Sequence, residues 1–372
     1  MMNRTLKLSA QNLPQLFTAL KSKGYTLIAP VVQDGTIAYD KAESSDDLPV
    51  GWTDEQSPAT YRLSKENRGR YFGFHTAPQS WKRFLYPPER SLFRLKRNGK
   101  SVEFQKDPNE QTNYAFIGVR PCELSAILVQ DLVFDSEKYG DDDYKLRRKD
   151  LFIVAVNCTD SAEDCFCSSL KTGPKAKGNY DLALTEIVAK GEHYFVVETG
   201  SETGEAIISQ THSSEATEQE INEAAKLVRH AENKMKKSVD ISDLPKLLSN
   251  NLEHPHWDNV AKRCLSCGNC TMVCPTCFCS TVEDITDLSG DEAERVQRWD
   301  SCFTMDFSKV AGGNFRITPK SRYRQWLTHK FSSWVDQFGV FGCVGCGRCI
   351  TWCPVGIDIT AEIGSLRGEP NS

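Results

Sequence analysis

The sequence contains no apolar run approaching the 18 or so residues that cross a bilayer as a helix. Its first residues, MMNRTLKLSAQNLPQLF, set Gln11, Asn12 and Pro14 where a secretion signal needs an unbroken apolar core. The Arg147 and Arg148 pair lies too far inside the chain to be a twin-arginine export signal. No membrane insertion is expected. Neither sign of charge dominates: 45 basic against 50 acidic residues leave −5, which gives no reason to expect a nucleic-acid partner. Also missing are a G-x-G-x-x-G after a strand and a G-x4-G-K-[ST] loop, so no motif supports dinucleotide or phosphate binding. Nothing resembles a nucleophile with a positioned base. Chemistry on a substrate is therefore not visible, and no catalytic residue is assigned.

Cysteine is what the sequence has in excess. Fifteen in 372 residues, about 4%, is well below the roughly 8–10% of a small disulfide scaffold but high for an intracellular chain. The count is odd, so complete disulfide pairing would leave one thiol over. A chain of this length, enough for two or three domains, buries a core without cross-links. A reducing, cytoplasmic setting follows, in which clustered thiols bind metal or do redox work.

The pattern predicts an α+β protein: an N-terminal α/β domain with a mixed sheet over residues 1–200, a helical linker over 201–255, and a C-terminal, mainly helical domain over 256–372 with an insertion at about 280–340. Ser9 before Leu13, Leu16, Phe17 and Leu20, ending at Gly24, reads as an amphipathic helix, and 25–32 as a strand. Residues 40–110 are polar and broken by Pro and Gly, and no element is assigned there. The apolar runs 115–119 and 151–156 suit strands covered on both faces, and helical spacing at Leu124, Ile127, Leu128 and Leu132 between them predicts a parallel pair. Residues 181–188 and 193–198 read as a hairpin joined at Lys190 and Gly191. The Ser, Thr, Glu and Gly of 199–216 read as linker, and Thr217 with Glu220 as a capping box opening a helix to about Lys237.

The strongest signal is Cys264, Cys267, Cys270 and Cys274 before Pro275, a C-x2-C-x2-C-x3-C-P run that recurs as Cys343, Cys346, Cys349 and Cys353 before Pro354. Three thiolates two residues apart on one tight loop can cap three irons of a cubane. The fourth, on the helix that follows, points away, and in two-cluster ferredoxins it ligates the other cluster. Two 4Fe-4S clusters are therefore expected, the first on Cys264, Cys267, Cys270 and Cys353, the second on Cys343, Cys346, Cys349 and Cys274. Gly268, Gly345 and Gly347 permit close folding around sulfide, and Pro275 and Pro354 fix the chain direction after each crossing ligand. Phe341, Val344, Ile350 and Trp352 are expected to shield the second cluster. Structural zinc uses pairs of C-x2-C a dozen or more residues apart, a form these runs do not have.

Seven cysteines remain. Cys122 directly follows one predicted strand and Cys158 the next, with Cys165 and Cys167 on the loop after it. Ligands gather outside the carboxyl ends of parallel strands, so these four are candidates for a third 4Fe-4S cluster; the alternatives are buried small hydrophobes or a redox-active pair. TCFCST at Cys277 and Cys279 echoes DCFCSS and is expected beside that site, with Cys302 as a substitute ligand. His254 and His256 read as solvent-facing. The basic stretch 316–330, with Arg316, Lys320, Arg322, Arg324 and Lys330, reads either as a docking surface, as positive charge set against anionic clusters, or as a solvated helix face.

Together GVRPCE at 118–123, the arginine pair at 147–148, CFCSS at 165–169, CPTCFC at 274–279, RWDSC at 298–302, AGGNFR at 311–316, YRQW with HK at 323–330 and GCVGCGRC at 342–349 resemble the iron–sulfur (beta) subunit of sulfhydrogenases and the related iron–sulfur subunit of anaerobic sulfite reductase. The resemblance spans about 115–360. It implies a cytoplasmic electron-transfer protein that relays single electrons between a catalytic oxidoreductase subunit on one side and a flavin-containing, NAD(P)H-oxidising subunit on the other. Two other readings stand beside it: an iron–sulfur redox or iron sensor, and an enzyme reducing a small sulfur species at an open iron.

Overall fold

The apolar runs YAFIGV and FIVAV form the neighbouring parallel strands Tyr114–Val119 and Phe152–Val156, nearly every residue buried, as strands covered on both faces require. A computed structural model of the chain describes residues 4–66, 69–75, 77–105, 112–189, 191–307 and 309–368. Thr26–Gln33 and Leu182–Ala189 extend the parallel run on either side. Antiparallel Thr36–Lys41 closes one edge. Glu192–Thr199, Thr5–Ser9 and Ser213–Glu215 close the other, completing an eight-stranded mixed sheet.

Each face of the sheet has its own core. Helix Leu13–Ser22 turns Leu13, Leu16, Phe17 and Leu20 onto one face beside Ile117, Val154 and Leu184, each fully buried Leu or Phe contributing about 1.5–3 kcal/mol. Helix Pro121–Phe134 starts with Pro121 at its first turn, where a missing N–H costs nothing. It covers the other face with Leu124 and Ile127 against Phe116 and Ile153.

Two sequence readings change, and two hold. Residues 199–216 are not a plain linker: helix Glu202–Ile208 and the edge strand Ser213–Glu215 lie there, because Ser201 caps the helix through Gly204 N and Leu6 and Leu8 offer an open ladder. The hairpin at 182–199 forms as expected, although Lys190 lies outside the described residues. Between residues 40 and 110 stand the hairpin Trp52–Ser57/Thr60–Lys65 and the strands Glu89–Asn98 and Ser101–Gln105. The capping box at Thr217 and Glu220 is present, and its helix runs to Lys234.

The insertion between the cysteine runs forms the hairpin Ser280–Thr286/Glu292–Trp299, and its second strand pairs antiparallel with Glu89–Asn98. N- and C-terminal segments thus share a four-stranded sheet. The remaining C-terminal chain is mainly short helices around Trp257, Tyr323, Trp326, Phe331 and Ile363. No helix among the described residues is long and apolar enough to cross a membrane.

Candidate metal centre

The two cysteine runs fold into the same local structure. Two residues after the first cysteine of each, Ser266 and Gly345 adopt left-handed backbone (φ +53° and +63°), which turns their N–H groups toward Cys264 Sγ and Cys343 Sγ, both at 3.4 Å. Four residues after it, Gly268 and Gly347 are left-handed again (φ +78° and +79°) and open the short helices Asn269–Met272 and Arg348–Thr351. At Cys353, the fourth cysteine of the second run, Ile357 N–H lies 3.3 Å from the sulfur. Sulfurs receiving backbone N–H donors are chemically suited to carry the negative charge of a thiolate.

Thiols of the two runs lie near one another. Cys270 is partly buried, and the desolvation raises its pKa, with the neighbouring Cys264, Cys267 and Cys353 raising it further. Cys349 is raised in the same way by burial and then by Cys343, Cys346 and Cys274. Cys343 is pushed up to about 12 by burial. Cys349 also faces Cys270, so those two residues are the junction between the sets. Val344 and Ile350 are fully buried, Phe341 and Trp352 partly so.

Cys122, Cys158, Cys165 and Cys167 line one apolar-walled cavity at the ends of the two central strands, with Arg120, Gly173 and Met235 completing it. Cys167 faces Cys165 and Cys158, and Cys122 faces Cys167 on one side and Cys346 of the second loop on the other. A Cβ at Gly173 would come within 2.8 Å of Cys167 Sγ, so glycine keeps that wall open. Arg120 donates to Phe72 O and Phe74 O and lends its positive charge to the Cys158 thiol, whose pKa burial nevertheless raises. The DCFC loop and the second cysteine loop interlock: a Cβ at Gly345 would lie 2.7 Å from the Cys167 backbone and one at Gly347 2.6 Å from Asp164 O.

The second short motif does not join this cavity. Pro275 and the hairpin beginning at Ser280 hold Cys277 beside Cys274 and Cys279 beside Cys302, while Cys302 also faces Cys270. Lys82, 5% exposed, donates to Cys274 O (3.2 Å) and Cys277 O (3.0 Å) and lies 3.7 Å over the Trp299 ring. Burial pulls its pKa down to about 8.

The basic stretch divides. Lys320 pairs with Asp258 and Arg324 with Glu253 at the surface, Arg322 is buried on the carbonyls of Phe303, Arg316 and Ile317, and Lys330 is buried beside Cys274. His256 is not solvent-facing: it is buried, its Nε2 2.6 Å from Glu362 Oε2, while Arg263 reaches the other carboxylate oxygen at 2.7 Å. Glu123 and Arg348, each 1% exposed, form an ion pair between the α/β sheet and the second loop, with Arg348 also donating to Ala77 O and Gln79 O. Burial keeps the Glu123 carboxyl above its ordinary pKa even against this arginine. The sequence carried no sign of that partnership, because the two residues are 225 positions apart.

Residues 263–357 match the 4Fe-4S dicluster domain family. Over 369 residues, covering 98% of each chain, the protein is 30% identical to sulfhydrogenase 2 subunit beta of Pyrococcus furiosus. With both cysteine loops inside the matched region and the α/β sheet inside the aligned length, the chain belongs to the sulfhydrogenase beta-subunit family, whose members are iron–sulfur electron-transfer subunits.

Proposed function

We propose that the chain relays single electrons along three 4Fe-4S sites in the order Cys264/Cys267/Cys270/Cys353, then Cys343/Cys346/Cys349/Cys274, then Cys122/Cys158/Cys165/Cys167. It would do so in a cytoplasmic complex, between a catalytic oxidoreductase subunit of hydrogenase or sulfite/sulfur reductase type and a flavin-containing, NAD(P)H-oxidising subunit. The observation that supports this reading is the packing of thiols across the three sets, Cys270 with Cys349 in one buried cluster and Cys346 with Cys122 in another. A bound cubane supplies one-electron storage at a potential set by hydrogen bonds to sulfur, burial and nearby charge. The protein's part is to hold the thiolates, donate N–H to them from Ser266, Gly345 and Ile357, and keep water from the middle site with Val344 and Ile350.

Iron and acid-labile sulfide analysis of anaerobically prepared protein, with EPR of the reduced state, tests this. About twelve irons per chain are expected, and about eight would remove the third site while leaving two. Cys122→Ser and Cys158→Ser should each abolish one EPR signal and spare two; survival of all signals in both variants overturns the strand-end assignment. Bound zinc without iron would overturn the relay altogether.

A further inference from the structure

Lys330 is 3% exposed, and its Nζ lies 3.2 Å from Cys274 Sγ, 3.1 Å from Thr276 Oγ1 and 2.9 Å from Gly342 O. Thr276 Oγ1 donates its own proton to Gly342 O at 2.7 Å, so toward Lys330 it accepts. With a carbonyl, a hydroxyl oxygen and a sulfur all receiving, Nζ supplies three N–H groups, which only the ammonium has. A buried charge is costly unless paired, and the groups that offset burial here are the sulfurs of Cys274, Cys277 and Cys343.

The placement is built in by the backbone. Lys330 sits in a π-helical turn, His329–Ser333, where its carbonyl accepts from Gly342 N at 2.8 Å while its ammonium donates to Gly342 O. Main chain and side chain of one residue thus clamp the position before Cys343. Gly342 has no room for a side chain, as a Cβ would meet the Trp334 ring at 2.4 Å. Among the described residues the Cys264/Cys267/Cys270/Cys353 set has no such cation. The residue before Cys264, Arg263, turns away to Glu362, and the described donors to the set's sulfurs are the N–H groups of Ser266 and Ile357. Lys330 reaches that set only weakly, through Cys270.

We propose that Lys330 separates the potentials of the two ferredoxin-type sites, its ammonium making the Cys343/Cys346/Cys349/Cys274 site the easier to reduce, so that an electron rests at the middle of the relay. This rests on the relay reading. One added electron makes an iron–sulfur centre more negative, and a fixed positive charge against a ligand sulfur favours that state.

The test is an EPR-monitored redox titration of the full-length, cluster-loaded chain, unaltered and as Lys330→Met and Lys330→Arg. In the unaltered chain the more positive of the two ferredoxin-type signals should survive Cys267→Ser, which removes the exposed ligand of the other site. Lys330→Met should shift that signal alone to lower potential, changing electron partition between the sites at least tenfold, or 59 mV for a one-electron couple. Lys330→Arg should retain the order. The proposal is overturned if the more positive signal belongs to the Cys267 site, or if Lys330→Met moves neither midpoint or both equally. Should Lys330→Met fail to hold iron, the assignment by Cys267→Ser decides alone. A chain that binds no iron at all sinks the relay reading instead, so the two failures are distinct.

Discussion

The loops at 264–274 and 343–353 have the same cysteine spacing and the same sequence of left-handed turns, yet they occupy different surroundings. In the first, Cys267 is exposed and Asn269 reaches only Trp352 O, at 3.2 Å. In the second, Cys346 is buried, and Arg348, the equivalent of Asn269, drives into the protein to meet Glu123. The buried Lys330 lies 3.2 Å from Cys274 Sγ, the cysteine of the first run that is expected to complete the second set, and among the described residues no lysine donates to a sulfur of the other set. Spacing therefore sets local backbone and ligand order, while the packing around each copy sets charge, solvent access and stability. One loop reaches the surface at Cys267, and the other is enclosed at Cys346.

The largest effect should come from breaking the anchor of the enclosed loop. Arg348→Met leaves the Glu123 carboxylate buried without its cation, and removing one partner of a buried pair costs about 3–5 kcal/mol. Asn269→Ala, at the matching place in the first loop, loses one exposed hydrogen bond and should cost no more than about 1.5 kcal/mol. Denaturant midpoints of the two variants measure the contrast. Equal losses would mean that the loops are anchored alike.

Exchanging the residues that turn each loop gives a second, smaller contrast. Ser266 and Gly345 share a left-handed backbone, but only Gly345 packs on the Cys167 backbone, where a Cβ would sit at 2.7 Å. Gly345→Ser should cost about 1–3 kcal/mol by overpacking and spread the DCFC loop from the second one. Ser266→Gly trades relief of backbone strain against a freer unfolded chain and should fall within about 1 kcal/mol of zero. Thermal unfolding of both variants would show it. A tolerated Gly345→Ser would mean that the interlock between the loops is slack.

How much of this was legible in the sequence follows the same division. Spacing pointed to both cysteine loops and to the fourth cysteine of each, and apolar strands followed at once by Cys122 and Cys158 pointed to the cavity at the ends of those strands. Both are local patterns, fixed by periodicity along the chain. Lys330 looked like one more member of a basic stretch, because charge spacing does not say which lysine a helix turns inward. The likeness of DCFC to TCFC misled, since short motifs do not encode the strand pairing that carries Cys279 away with the hairpin at Ser280. Ser266 gave no glycine to mark its turn. The linker at 199–216 hid an edge strand whose partner lies at the far N-terminus. Such contacts depend on tertiary register, which composition cannot express.

The smallest effect sharpens the comparison from the other side. Both loops lean on an arginine–glutamate pair, Arg263 with Glu362 in the first and Arg348 with Glu123 in the second. The Arg263 side chain is 44% exposed, against 1% for Arg348, and Glu362 keeps His256 at 2.6 Å when Arg263 is removed. Glu362 is buried in this pair, but Arg263 is nearly half in water and open to salt, and His256 remains on the carboxylate, so Arg263→Ala should cost less than about 1 kcal/mol. That cost should shrink further in molar salt, where the Debye length falls to about 3 Å. The loss in Arg348→Met should persist there, because solvent ions do not reach the buried carboxylate. Urea midpoints of the two variants at low and high salt test this directly. If both losses fade with salt, burial is not what distinguishes the two loops. If neither fades, Arg263 holds its loop as firmly as Arg348 holds the other.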